Sequence, residues 1–134
     1  IETVEGLKMA SVEVTQAELE AIYDNRSKFG YLVLNKKDAT DAQNTVYIGR
    51  GSKWGNQWSH LPKSTARHKT WTREEAVVCH RRWLIDAIRN GEISITELAM
   101  LADKRLVCFC SPDLCHGHTL AAAAKWAKQQ LDRG

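Results

Sequence analysis

Arg105-Leu-Val-Cys-Phe-Cys-Ser-Pro-Asp-Leu-Cys-His-Gly-His118 is the stretch on which the fold turns. Its first six residues are largely apolar and bounded by a breaker, which predicts a buried strand over Arg105–Cys110. Ser111-Pro112 ends that strand, because proline has no N–H for a ladder. A helix is expected to begin near Leu114 or Cys115 and to run to Leu131. A strand feeding directly into a helix is an α/β signature.

Working outward, Tyr31–Leu34 and Thr45–Ile48 read as two further strands, separated by a polar loop over Lys36–Asn44. Thr15 and Glu18 form a capping box that opens a first helix, with Leu19 and Ile22 on its apolar face and Asn25–Gly30 as a turn. Thr72 and Glu75 form a second box. Ala76, Val77, Trp83, Leu84, Ala87 and Ile88 then recur at helical spacing until Asn90-Gly91 stops the helix. Arg81, Arg82 and Arg89 fall largely off that stripe, and they, Arg73 and His80 read mostly as a solvated face. A short helix follows around Thr96–Leu101. Gly49–Thr70 has no period and reads as one long irregular loop, a kind usually tied to function.

The expected fold is α/β: a small single Rossmann-like domain with a short, at least partly parallel sheet and flanking helices. Residues 1–30 are expected to be an N-terminal helical extension and 31–134 the single domain. A chain of 134 residues needs no staples to bury a core. The four cysteines are not spaced as a disulfide framework, since three of them crowd into Cys108–Cys115. Cys79 stands alone in a helix as a small core residue. No apolar run approaches the roughly 20 residues that span a bilayer, and no leader pattern is seen, so cytoplasmic residence without membrane contact is expected. The chain opens at Ile1 rather than methionine, and a few residues are expected to precede it.

The net charge of +3 hides an asymmetry: residues 50–82 carry 8 basic and 2 acidic side chains, a local net of +6. An anionic partner is sought there. Within it, Gly49-Arg-Gly-Ser-Lys-Trp-Gly-Asn56 leaves the end of a strand, where open α/β sheets bind ligands. Gly49 and Gly55 let a backbone approach a ligand, and Arg50 and Lys53 supply charge. Ser52 offers a hydroxyl, Trp54 a stacking face, and Asn56 a donor and an acceptor. The alternative is a surface turn whose tryptophan folds into the core. The GxxxxGK[ST] spacing of a Walker loop is absent.

The second motif admits three readings. Cys115 and His116 at a helix start, with His118 as general acid–base, would form a metal-free nucleophilic site. Cys108, Cys110, Cys115 and one of His116 or His118 would form a zinc site, although all ligands then fall within eleven residues. The third is packing alone. No cofactor is the leading expectation, with zinc as the alternative.

Tyr47-Ile-Gly-Arg50, Ser52-Lys-Trp-Gly-Asn56, Arg73-Glu-Glu-Ala76, Leu106-Val-Cys-Phe-Cys110 and Cys115-His-Gly117 together resemble the bacterial and phage family called domain of unknown function 4326. The resemblance covers about residues 31–126. It implies a compact Rossmann-like domain and nucleotide- or nucleic-acid-linked chemistry. Gly51 and Gln57 stand where the family commonly has proline, and His118 where it has aspartate. The expected function is therefore binding of a nucleotide-like anionic small molecule, extending to catalysis at an N-glycosidic or phosphorylated centre. A nucleic-acid-binding module and a zinc-stabilised interaction domain are the alternatives.

Overall fold

The computed structural model describes residues 12–39 and 43–134. Residues 1–11 of the expected extension and 40–42 of the polar loop lie outside the described residues. The elements are α1 (Gln16–Phe29), β1 (Val33–Asn35), β2 (Thr45–Tyr47), β3 (Trp58–Ser59), β4 (His68–Lys69), α2 (Arg73–Arg89), α3 (Ile95–Ala99), β5 (Arg105–Cys108) and α4 (His116–Arg133). The fold is α/β with short, wholly parallel sheets. The last strand, β5, lies between β1 and β2 in the main sheet, and β3 pairs with β4 in a second, two-stranded one. Among the described residues, no helix is long and apolar enough to cross a membrane.

Both expected capping boxes form, at Thr15/Glu18 and at Thr72/Glu75. The expected turn at Asn25–Gly30 does not: α1 continues to Phe29, and Arg26 and Lys28 sit in its last turn, where cations suit the helix dipole. A 3-10 turn at Gly30–Leu32 then shortens the expected first strand, leaving Tyr31 75% exposed. The long loop also holds more order than its sequence suggests, since β3 and β4 pair within it.

The core gathers on the sheet. Val33, Ile48, Leu84, Leu106 and Leu120 are buried within one apolar cluster, and Ile22 of α1 packs with Val77, Val78 and Leu114 in another. The helix α1 is therefore docked on the body of the domain. Gly117 brings the start of α4 down onto β1, since an added Cβ would stand 3.0 Å from Val33 Cγ1.

Arg82, which the apolar stripe left out, clamps α1 to α2. Its Nε and Nη2 donate to the two Glu18 carboxylate oxygens, each at 2.7 Å. The guanidinium, with the Thr15 cap, lowers the Glu18 pKa from 4.5 to about 2. This contribution is complete above pH 4.5 and is lost as pH falls toward 2. Glu18→Gln is expected to cost about 1–2 kcal/mol at pH 7, because the half-exposed Arg82 weakens a charge-assisted pair. A double-mutant cycle with Arg82→Gln, read by urea unfolding, checks it. Additive losses would show that the pair contributes nothing.

Candidate functional site

Parallel pairing puts the ends of all three main strands at one edge, and the two motifs leave from neighbouring strands there. Asn35, at the end of β1, pins the turn after β5: its Nδ2 donates to the carbonyls of Phe109 and Ser111, both at 3.1 Å. Ser111 Oγ donates to Val33 O at 2.8 Å. A cleft of about 720 Å³ opens at this edge, with Gly49, Arg50 and Asn56 on one side and Cys108, Cys110 and His116 on the other. Trp58, His60, Lys63 and Arg73 complete its basic and aromatic wall, with Phe109 at the rim. The volume lies within the ~300–1,000 Å³ common for small-molecule sites.

The first motif divides between cleft-lining and structural roles. Gly49 and Arg50 line the cleft, and Arg50 is exposed apart from one long bond from its Nη2 to Asn56 O at 3.4 Å. Ser52 Oγ donates to Gly49 O at 2.7 Å and closes the turn. Asn56 has both ends of its amide in use. Its Nδ2 donates to Ala76 O at 3.1 Å and its Oδ1 accepts from Trp58 N at 2.9 Å, which ties the loop to α2. Two expectations need correction. Trp54 offers no open face, being 8% exposed within the main core, where its ring buries more area than any smaller residue could. Lys53 pairs with Glu97 of α3 outside the cleft, because the turn of Gly49–Gly55 throws it to that side.

In the second motif Cys115 caps α4. Its sulfur accepts from Gly117 N at 3.3 Å, and His118 Nδ1 accepts from Cys115 N at 3.1 Å. Position 118 is thus a reciprocal cap, a task an aspartate could also perform. Burial, then the charge of Arg26, lowers the His118 pKa to about 4, so the near-neutral titration expected of a general acid–base is absent. His116 donates from Nε2 to Ile48 O at 2.7 Å, which turns its Nδ1 toward Cys115 Sγ, 3.5 Å away. Burial depresses the His116 pKa as well.

The three thiols converge. Cys108 Sγ and Cys115 Sγ are 3.1 Å apart and both residues are buried, while Cys110 is partly exposed on the cleft wall. Hydrogen bonding from Cys108 and Cys115 holds the Cys110 thiol well below the usual range, and the same contacts raise Cys115. The expectation of an open, reactive Cys115 therefore passes to Cys110. Among the described residues, no three His, Cys, Asp or Glu side chains are arranged to hold a metal ion. Two thiolates around tetrahedral zinc stand about 3.8 Å apart, given Zn–S bonds of about 2.3 Å. The closer Cys108–Cys115 pair is a thiol–thiol contact, so the zinc alternative on Cys108, Cys110, Cys115 and His116 lacks its geometry.

Sequence reasoning missed several residues. Phe109 is 63% exposed at the rim. Arg73 reaches over from the first turn of α2, with Nη1 3.4 Å from Leu114 O and Nη2 3.7 Å from an Asp113 oxygen. His60 lines the cleft with its pKa lowered by burial and by Arg73. His80, read as solvated, is fully buried behind His116 with ring centroids 4.9 Å apart, and neither of its nitrogens finds a hydrogen-bond partner. The basic block over residues 50–82 was the signal for Arg73. For His80, its place on the side of Ala76, Ala87 and Leu84 would have served.

A family model described as Domain of unknown function (DUF4326) matches residues 33–126. An uncharacterized 12.4 kDa protein from the nrdA-td intergenic region of Enterobacteria phage T4 is 36% identical to the chain over 76 residues, 57% of this chain and 63% of that protein. The chain thus spans less than two thirds of the length of that relative. No solved structure matches the chain. The family match takes in the sheet, both motifs and every cleft residue named above, and the chain belongs to the DUF4326 family.

Proposed function

We propose that the chain binds a nucleotide-like anion in the cleft at the carboxyl edge of the sheet. The observation that carries this reading is the meeting of two guanidinium groups, Arg50 and Arg73, with an exposed aromatic ring, Phe109, around one cleft. Guanidinium forks match phosphate oxygens, and an open ring stacks on a base. The placement also agrees with the habit of open parallel sheets, including Rossmann-like ones, to bind ligands beyond their strand ends. Chemistry at an N-glycosidic or phosphorylated centre would fall to groups that line the cleft, such as Cys110, His60 and His116, rather than to the buried His118.

The test is calorimetric titration with nucleoside mono- and diphosphates, beside inorganic phosphate. Binding should weaken on the order of 100-fold in Arg50→Gln/Arg73→Gln, from the loss of two charge-assisted contacts. Phe109→Ala should weaken nucleotides about tenfold while leaving inorganic phosphate unchanged. A pocket for one small anion gives a shallow salt dependence; a steep one, with oligonucleotides binding more tightly than mononucleotides, would favour the nucleic-acid reading instead.

A further inference from the structure

The proposed ligand does not explain why Cys108 and Cys115 stand in contact beside Cys110. One buried cysteine is a small apolar residue and needs no other explanation. Two that line an anion-binding cleft, Cys108 and Cys110, with Cys115 in sulfur–sulfur contact with Cys108 at 3.1 Å, are a different matter. Beside them His116 donates to Ile48 O, so that its Nδ1 lies 3.5 Å from Cys115 Sγ and orients that thiol by accepting its hydrogen bond. The arrangement has a group open to the cleft and a buried partner held in place beside it.

We propose that these residues carry out thiol–disulfide exchange with a small anionic disulfide, with Cys110 as the attacking sulfur and Cys115 as the resolving one. The Cys110 thiolate attacks one sulfur of the disulfide. A new S–S bond forms as the old one breaks, and the first small thiolate leaves and takes a proton from solvent. Cys115 then attacks Cys110 Sγ, and its proton goes to the second small thiolate as that thiolate leaves. The balance is a protein dithiol and one disulfide converted to a protein disulfide and two small thiols. Cys108, 3.1 Å from Cys115, can accept the bond from Cys110 by a further exchange that leaves the oxidation state unchanged. The lowered pKa of Cys110 agrees with the attacking role. The preference for an anionic disulfide rests on the reading of Arg50 and Arg73 given above; the thiol chemistry does not.

The experiment mixes the reduced full chain with glutathione disulfide, which is anionic, or with cystamine, which is cationic, and follows the adducts by peptide mass spectrometry. Glutathione disulfide should react about tenfold faster, as expected for a steered anion, and Arg50→Gln/Arg73→Gln should erase that difference. The product should be a disulfide joining Cys115 to Cys110 or Cys108. Cys110→Ser should remove the fast reaction. Cys115→Ser, which keeps an oxygen at the helix cap, should stop at a mixed disulfide on Cys110. Slow, equal labelling of all the thiols, a Cys115→Ser variant without a Cys110 adduct, cystamine reacting as fast as glutathione disulfide, or a metal retained on the thiols in native mass spectrometry would each overturn the proposal. Exchange that persists in a protein unable to bind nucleotides counts against the nucleotide ligand and supports the relay.

Discussion

Lowering the pH from 7 to 5 is expected to destabilise this protein by up to about 6 kcal/mol, with unfolding coupled to uptake of up to three protons per chain. His80, His116 and His118 are all buried, and burial is the first cause of the lowered pKa of each. A histidine whose folded pKa is depressed binds its proton only after unfolding. Its full stabilising effect is therefore present above the unfolded value of 6.5 and is lost as pH falls below it. Each such group removes about 1.4 kcal/mol per pH unit, so three remove up to about 6 kcal/mol by pH 5, against a typical total of about 5–15 kcal/mol. The Glu18–Arg82 clamp does not confuse the reading, since its own window opens only below pH 4.5. Urea midpoints taken from pH 7.5 to 5 check the slope. His80→Phe, which removes a buried ring without hydrogen-bond partners, should flatten the slope and raise stability at pH 6. A midpoint that stays level across this range would refute the assignment.

Gly55→Ala is expected to cost about 3 kcal/mol and, in a domain of this size, to lower the melting temperature by about 10 °C. The Gly49–Gly55 turn is closed by Ser52 N donating to Gly49 O and Gly55 N donating to Ser52 O, both at 3.1 Å. An alanine Cβ at position 55 would stand 2.7 Å from Gly49 O and 3.3 Å from Arg50 Cα. Both obstacles are backbone and cannot rotate away, so the turn itself must open. Arg50 rides on that turn, and nucleotide affinity should fall together with stability. Gly30→Ala is the control, because nothing lies within 4 Å of its added Cβ and its φ of −57° suits alanine. That substitution should be neutral or stabilise by a few tenths of a kcal/mol. Equal melting temperatures for the two variants would mean that the turn tolerates a side chain.

Features built from contacts a few residues apart are legible in residue type and spacing. The boxes at Thr15/Glu18 and Thr72/Glu75 and the stop at Asn90-Gly91 each join groups within four positions, so their residue types are enough to place them. The same holds for β2 and β5, whose apolar runs end in Gly49 and Ser111, and therefore for the meeting of the two motifs at one edge. Which side chain of a motif faces the cleft depends on the packing of distant segments. Trp54 and Lys53 have suitable chemistry, but core contacts and Glu97 draw them away, while Asn56 is taken up by Ala76, twenty residues on. Among the thiols the choice fell to Cys110 rather than Cys115, because capping α4 buries Cys115 and leaves Cys110 on the wall. His80 shows the same limit: an ionisable residue on a helix reads as solvated until a second one, thirty-six residues away, is packed against its ring. Local hydrogen-bond chemistry is carried by residue type and spacing, whereas burial belongs to whatever the rest of the chain brings alongside.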